Sequence, residues 1–141
     1  MSGPQGRLYL PPPTGFGPLP FSSGVLVGNT FYLGGHIGVD PATREVPPDP
    51  EQEARFMLDA VRDTLARAGL GMDDLVMVQV FAADVSLFER FNGVYRTYFT
   101  RNFPARAFIG SGPLLLMARF EMLGIALSEK KESEVRSQKP E

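Results

Sequence analysis

Val27-Gly28-Asn29-Thr30-Phe31-Tyr32-Leu33-Gly34-Gly35 is the stretch that decides the fold. Gly28-Asn29 tolerates positive φ and sits between two short β-prone runs, Gly24 to Val27 and Thr30 to Leu33, so a tight two-residue hairpin is expected. Gly34 and Gly35 then admit a β-bulge or the close approach of backbone or ligand.

Beyond a loop from Asp40 to Pro50, a helix start is legible. Asp49 can cap, Pro50 suits the first helical position, and Gln52 can complete a reciprocal capping pattern, with Glu51 and Glu53 adding favourable charge. Met57, Val61, Leu65 and Ala68 recur at helical spacing, while Arg62, Asp63 and Arg67 lie mainly between them. A helix with one apolar face is therefore expected over Glu51 to Ala68, stopped by Gly69 and Gly71. Leu75 to Ala83 shifts to a Val-rich strand pattern. Ser86 and Glu89 resemble a second capping box, opening an aromatic helix through Phe88, Phe91, Tyr95, Tyr98 and Phe99 whose stripe reads as core or subunit contact. Two last strands, Ala105 to Ile109 and Met117 to Leu127, flank Gly110-Ser111-Gly112-Pro113. The order is β-β-α-β-α-β-β, an α+β class with two helices on one face of a mixed sheet. The other face needs a cover, which an oligomer would supply.

The 141 residues are 43% hydrophobic and include 11 Phe and 4 Tyr, enough for one substantial core. Residues 1–18 read as a flexible Pro-rich segment, because Pro11-Pro12-Pro13 and Pro18 remove donors and fix extended geometry. Residues 19–127 form the expected domain, and 128–141 read as a solvated charged tail without apolar periodicity. A formal net charge of -2 gives no global attraction for nucleic acid or an anionic membrane, and no apolar run is long enough to span a bilayer. With 0 cysteines there is no disulfide, thiol nucleophile or thiolate metal site. The start lacks the charged head and apolar core of a secretory signal, so the cytoplasm is the default location.

Chemistry concentrates in Phe103-Pro104-Ala105-Arg106 and Phe120-Glu121-Met122-Leu123, where one guanidinium and one carboxylate stand in otherwise apolar sequence. The planar fork of arginine matches a small carboxylate, and a glutamate among apolar neighbours is disposed to proton transfer. His36, the single histidine, follows the Gly34-Gly35 pair and invites an acid-base role, against which a packed histidine at a strand end is the plainer reading. No second histidine or cysteine completes a metal constellation, so no metal is expected. Gly110 and Gly112 lack the spacing and the following Lys-Ser/Thr of a phosphate loop.

Taken in order, the VGNTFYLGG hairpin, Asp40-Pro41-Ala42-Thr43, the helix ending at Ala68-Gly69, Phe91-Asn92-Gly93-Val94-Tyr95 with Tyr98-Phe99, Phe103-Pro104-Ala105-Arg106 and the strand around Glu121 resemble the RidA/YjgF reactive-intermediate deaminase family. That family is also described as the translation-inhibitor or liver perchloric-acid-soluble protein family. The resemblance covers roughly Leu19 to Leu127. It implies a chorismate-mutase-like α+β fold and a homotrimer with ligand clefts between subunits. It also implies cofactor-free hydrolysis of a 2-imino acid, or its enamine tautomer, to a 2-oxo acid and ammonia. In that pattern Arg106 anchors the substrate carboxylate and Glu121 positions water or moves a proton, while Asn92 matches a position near the cleft. Four positions depart from it. Gly34 stands where a serine is common, Phe21 where a tyrosine is typical, Ala107 where a serine is usual, and Phe108 where a smaller cysteine or threonine is frequent. If it faces the cleft, Phe108 would favour a smaller or more apolar ligand. These losses of polar groups leave an alternative open, a non-catalytic homotrimer that binds small carboxylates. An RNA-directed role, also associated with the family, has less support because no dense basic segment is present.

Overall fold

The computed structural model describes residues 6–128. Strand β1 (Arg7–Leu10) runs antiparallel to β2 (Gly24–Val27), which turns through Gly28-Asn29 into β3 (Thr30–Ile37). Helix α1 (Pro50–Arg67), strand β4 (Leu75–Ala82), helix α2 (Phe88–Tyr95) and strands β5 (Ala105–Gly110) and β6 (Phe120–Leu127) follow. All the strands lie in one sheet, ordered β1-β2-β3-β6-β4-β5. Among the described residues only β4 and β5 pair in parallel, because α2 carries the chain back over the sheet between them; the other pairings are antiparallel. From β2 onward this is the expected β-β-α-β-α-β-β order on a mixed sheet.

Side-chain alternation fixes which face is covered. In β4, Val78, Val80 and Ala82 are buried between partly exposed Met77, Gln79 and Phe81; in β6, Phe120, Met122 and Ala126 are buried between Glu121, Leu123, Ile125 and Leu127. The buried set meets Met57, Leu58, Val61 and Leu65 of α1 and Phe91 of α2 in one core with Phe31 and Leu33. Each such large side chain contributes about 1.5–3 kcal/mol on leaving water. The opposite face, carrying Met77, Phe81, Leu123 and Ile125, has no helix over it among the described residues.

Three expectations change in detail. The Pro-rich start is not wholly loose: Leu8 and Leu10 alternate with Arg7 and Tyr9, pair with β2, and put Leu10 into the core. Second, the last strand begins at Phe120 rather than Met117. Leu116 and Met117 adopt left-handed backbone at φ 56° and 60°, which cannot continue a pleated strand. Third, Ser86 and Glu89 form no capping box. Asp84 accepts from Ser86 N at 3.0 Å and from Ser86 Oγ at 2.7 Å, starting a short 3-10 turn, Val85–Leu87, that leads into α2. That helix ends at Tyr95, so Tyr98 falls in a 3-10 turn and Phe99 in extended backbone. The charged-tail expectation for 128–141 falls almost wholly outside the described residues.

At the start of α1, Asp49 caps as expected, accepting from Gln52 N at 3.1 Å. Glu53 does something the sequence did not suggest. It is 0% exposed, and its Oε2 accepts from the backbone N–H groups of Arg119 at 2.6 Å and Phe120 at 3.2 Å. Its Oε1 accepts from Arg119 Nη1 at 2.7 Å, and that guanidinium also donates to Pro47 O at 3.0 Å and Pro48 O at 2.7 Å. One buried carboxylate thus ties the helix start to the residues entering β6, immediately before Glu121.

Candidate active site

Arg106 pairs in register with Val78 of β4, so its side chain leaves the sheet on the helix-covered face, at the start of an edge strand. Rings surround its guanidinium carbon: Tyr95 at 4.7 Å, Phe108 at 5.4 Å, Phe88 at 5.6 Å and Phe91 at 6.0 Å to the centroids. Three of them come from α2 at positions 88, 91 and 95, one helical face, and Phe108 lies two residues along β5 on the same side as Arg106. The negative faces of aromatic rings attract a cation without using its N–H donors. Among the described residues no carboxylate pairs with Arg106, whereas Arg119, Arg62, Arg90 and Arg101 each have one within ion-pair distance. The fork therefore stays open to an external anion.

Tyr95 is 5% exposed, and burial pushes its phenol up to about 12 against the opposing pull of the Arg106 charge. Its hydroxyl oxygen, like Oδ1 of Asn92 one turn earlier, is buried and has no hydrogen-bond partner among the described residues. Phe108 stacks edge-on against Phe88, 5.2 Å between centroids, and lies 5.5 Å from Phe91, so it is both the outer rim of the core and a wall beside Arg106.

Glu121 leaves the sheet on the other side. It stands opposite Phe81 of β4 and Ile37 of β3, on the face without helices. Its Oε2 rests against Gly35, where any Cβ would collide with it. The register of β3 against β6 shifts between Leu33 and His36, and this bulge is what brings Gly35 under the carboxylate. Gly34 donates its N–H to Ser23 O at 2.9 Å, and a Cβ there would lie 3.0 Å from Ser22 O and 3.1 Å from Ser23 O. A close backbone approach and a bulge thus coincide at Gly34. Phe21, just before those two serines, is 52% exposed. Ala107 faces Gln79 on the open side of the sheet, away from Arg106.

His36 is occupied by structure. Gly34 O can only accept, so Nδ1–H donates to it at 2.7 Å and Nε2 accepts from Thr64 Oγ1 at 2.8 Å. Burial holds the ring below its ordinary pKa, which keeps it neutral and bound to α1. Among the described residues no group of three His, Cys, Asp or Glu side chains could hold a metal ion, and no helix is long and apolar enough to cross a membrane.

The candidate residues thus fall into two groups on one chain. Arg106, Phe108 and Asn92 gather where α2 meets β5, whereas Glu121 and Gly34 lie about the β3 bulge, with Phe21 adjoining the serines that Gly34 meets. Sequence reading assigned Phe88, Phe91 and Tyr95 to core or subunit contact rather than to the surroundings of Arg106, and allowed a close approach at Gly35 without connecting it to Glu121. The 88, 91, 95 spacing was visible, but only the strand register shows that Arg106 projects towards that stripe.

A two-layer α+β domain with its candidate groups divided between the two faces of one sheet is the class these features define. The model of the family described as Endoribonuclease L-PSP matches residues 17–128. A 2-iminobutanoate/2-iminopropanoate deaminase from Bos taurus is 37% identical over 109 residues, covering 77% of this chain and 80% of that protein. The protein of the same name from Escherichia coli K12 is 36% identical over 111 residues, covering 77% and 87%. The crystal structure of the YjgF gene product from E. coli superposes with a TM-score of 0.75 at 36% identity, over 82% of this chain and 91% of that one. This chain belongs to the RidA/YjgF family, the endoribonuclease L-PSP family of proteins.

Proposed function

We propose that this protein hydrolyses reactive 2-imino acids, or their enamine tautomers, to 2-oxo acids and ammonia, in clefts between the subunits of a homotrimer. The observation that carries the reading is Arg106, a guanidinium held among four rings with its fork uncommitted. The relatives that bear the name 2-iminobutanoate/2-iminopropanoate deaminase lend it support.

In this mechanism Arg106 takes the substrate carboxylate in a bidentate pair, fixing the imine carbon relative to the protein. Because β5 is an edge strand, alternate peptide groups along it point away from β4 and are free to orient the imine and the water. Glu121 positions that water, accepts a proton as oxygen adds to the imine carbon and passes it to nitrogen, giving the carbinolamine; the carboxylate then takes the hydroxyl proton and delivers it to the amino nitrogen as the C=O bond forms, the C–N bond breaks and ammonia leaves. No redox partner or cofactor is needed to balance these steps.

Arg106 and Glu121 leave opposite faces of the same sheet, so the constellation is assembled by supplying Arg106 from one copy and Glu121 from the next. The half-exposed apolar residues of the open face, Met77, Phe81, Leu123 and Ile125, supply a contact surface for that assembly. The cytoplasm is the compartment this reading assigns.

A second reading, a non-catalytic binder of small carboxylates, is favoured by one observation. At Gly34 neighbouring backbone crowds the place where a side-chain hydroxyl would stand. Coupled kinetics separate the two: several 2-imino acids are generated in situ, and their loss is followed against spontaneous decay with the intact protein and with Arg106→Ala. Acceleration that falls by about two orders of magnitude in the variant supports the deaminase. Retained 2-oxo acid binding by an intact oligomer, without acceleration of any small, aliphatic or aromatic imine, selects the binder.

A further inference from the structure

We propose that Tyr95 is the positioning residue for Arg106: its ring is the platform on which the guanidinium lies, and its hydroxyl accepts from the guanidinium N–H turned away from the substrate carboxylate. The inference rests on the reading of Arg106 as the carboxylate anchor and assigns the group that aims it.

Tyr95 has the ring nearest to the Arg106 guanidinium carbon, at 4.7 Å. Its aromatic neighbours are phenylalanines: Phe99 at 4.9 Å, Phe91 at 5.7 Å and Phe103 at 6.3 Å between centroids. Phenylalanine would make the same ring contacts at position 95, so packing does not account for the hydroxyl. That hydroxyl is buried with no close hydrogen-bond partner among the described residues, and Arg106 is the side chain whose charge and hydrogen-bonding reach oppose the effect of burial on it, so a small adjustment of the guanidinium would satisfy it. A bidentate carboxylate uses one edge of a guanidinium and leaves its remaining donors facing back into the protein. The phenol keeps its proton at neutral pH, with its pKa pushed up to about 12 by burial. Asn92 Oδ1, the other buried acceptor without a partner, lies three residues earlier on the same helix face and supplies an acceptor for the phenol hydrogen. Closing Arg106 N–H onto Tyr95 O–H and thence onto Asn92 Oδ1 would satisfy both orphans when the anion arrives, turning their cost in the free chain into selectivity for a charged carboxylate.

The test is an NMR titration of the intact protein with 2-oxobutanoate and with its primary amide, beside imine-hydrolysis kinetics, for wild type, Tyr95→Phe and Tyr95→Leu. Tyr95→Phe is expected to weaken 2-oxobutanoate binding about fivefold and to raise KM by a similar factor, with kcat and amide binding unchanged. Tyr95→Leu, which removes the platform as well, is expected to lose more carboxylate affinity than Tyr95→Phe. Unchanged KM and acid affinity in Tyr95→Phe would overturn the proposal, as would equal weakening of acid and amide, the mark of a general packing defect. Wild-type protein that binds no 2-oxo acid removes the Arg106 reading and this one together. Wild-type binding with an indifferent Tyr95→Phe removes this one alone.

Discussion

At the scale of the residue, two side chains with similar sequence surroundings have different fates. Arg106 and His36 each stand in an apolar strand, but His36 is consumed by Gly34 O and Thr64 while Arg106 keeps its donors. The neutral state of His36 has a consequence for stability. Its folded pKa lies below the ordinary 6.5, so the unfolded chain binds the proton more tightly. The stability contributed by neutral His36 is complete above pH 6.5 and declines as pH falls from there towards the lowered folded pKa. The nearby Arg67 charge acts in the same direction as burial. His36→Gln, which retains a donor for Gly34 O and an acceptor for Thr64, should show a smaller loss of thermal stability between pH 7 and pH 5 than wild type. An equal loss in both proteins, measured by calorimetry across that range, would exclude His36 as the titrating group.

Elements are joined here by a small number of close approaches. The bulge in β3 sets Gly35 beneath the Glu121 carboxylate, and a methyl group there must push that carboxylate aside. Gly35→Ala is therefore expected to lower kcat at least tenfold while leaving oligomer size and carboxylate affinity near wild type. Full turnover in that variant would show that the Glu121 rotamer is not what matters. Glu53 ties α1 to the entry of β6 from a fully buried position. Removing it leaves two backbone donors and part of a guanidinium without their acceptor. Glu53→Ala should then cost about 3–5 kcal/mol in denaturant unfolding, and Glu53→Gln, which restores an acceptor, clearly less. A loss within about 0.5 kcal/mol for Glu53→Ala, the scale of a surface change, would contradict a structural role for the bracket. The limits of α1 were legible because Asp49-Pro50 is a local signal. The start of β6 was not, because the left-handed backbone at Leu116 and Met117 has no glycine to announce it.

For the whole molecule, the division of Arg106 and Glu121 between opposite sheet faces gives a test that needs no structure of the assembly. Arg106→Ala and Glu121→Gln should each be nearly inactive alone. Refolded together in equal amounts, they should recover about a quarter of wild-type activity, since one in four random neighbour pairs joins an intact Arg106 to an intact Glu121. Recovery no greater than the average of the two parents would mean that the pair works within one chain, or not at all. The open face poses the same question in terms of packing. Among the described residues nothing forms a second layer over Met77, Phe81, Leu123 and Ile125, and a neighbouring copy would provide one.

Sequence alone determined the elements whose signals are local: the Gly28-Asn29 turn, the Asp49-Pro50 helix start, the alternation of β4, and hence the β-β-α-β-α-β-β order. It also singled out Arg106 and Glu121, because a charge in an apolar strand is visible without knowing the fold. Only the tertiary structure decided which face each occupies. Strand register sets that, and a shift of one residue reverses every side chain. The same long-range pairing drew Arg7–Leu10 into the sheet, turned Arg106 towards the aromatic face of α2, placed Gly35 under Glu121 and buried Glu53, since these contacts join separate elements and the spacing within any one element does not name its partner.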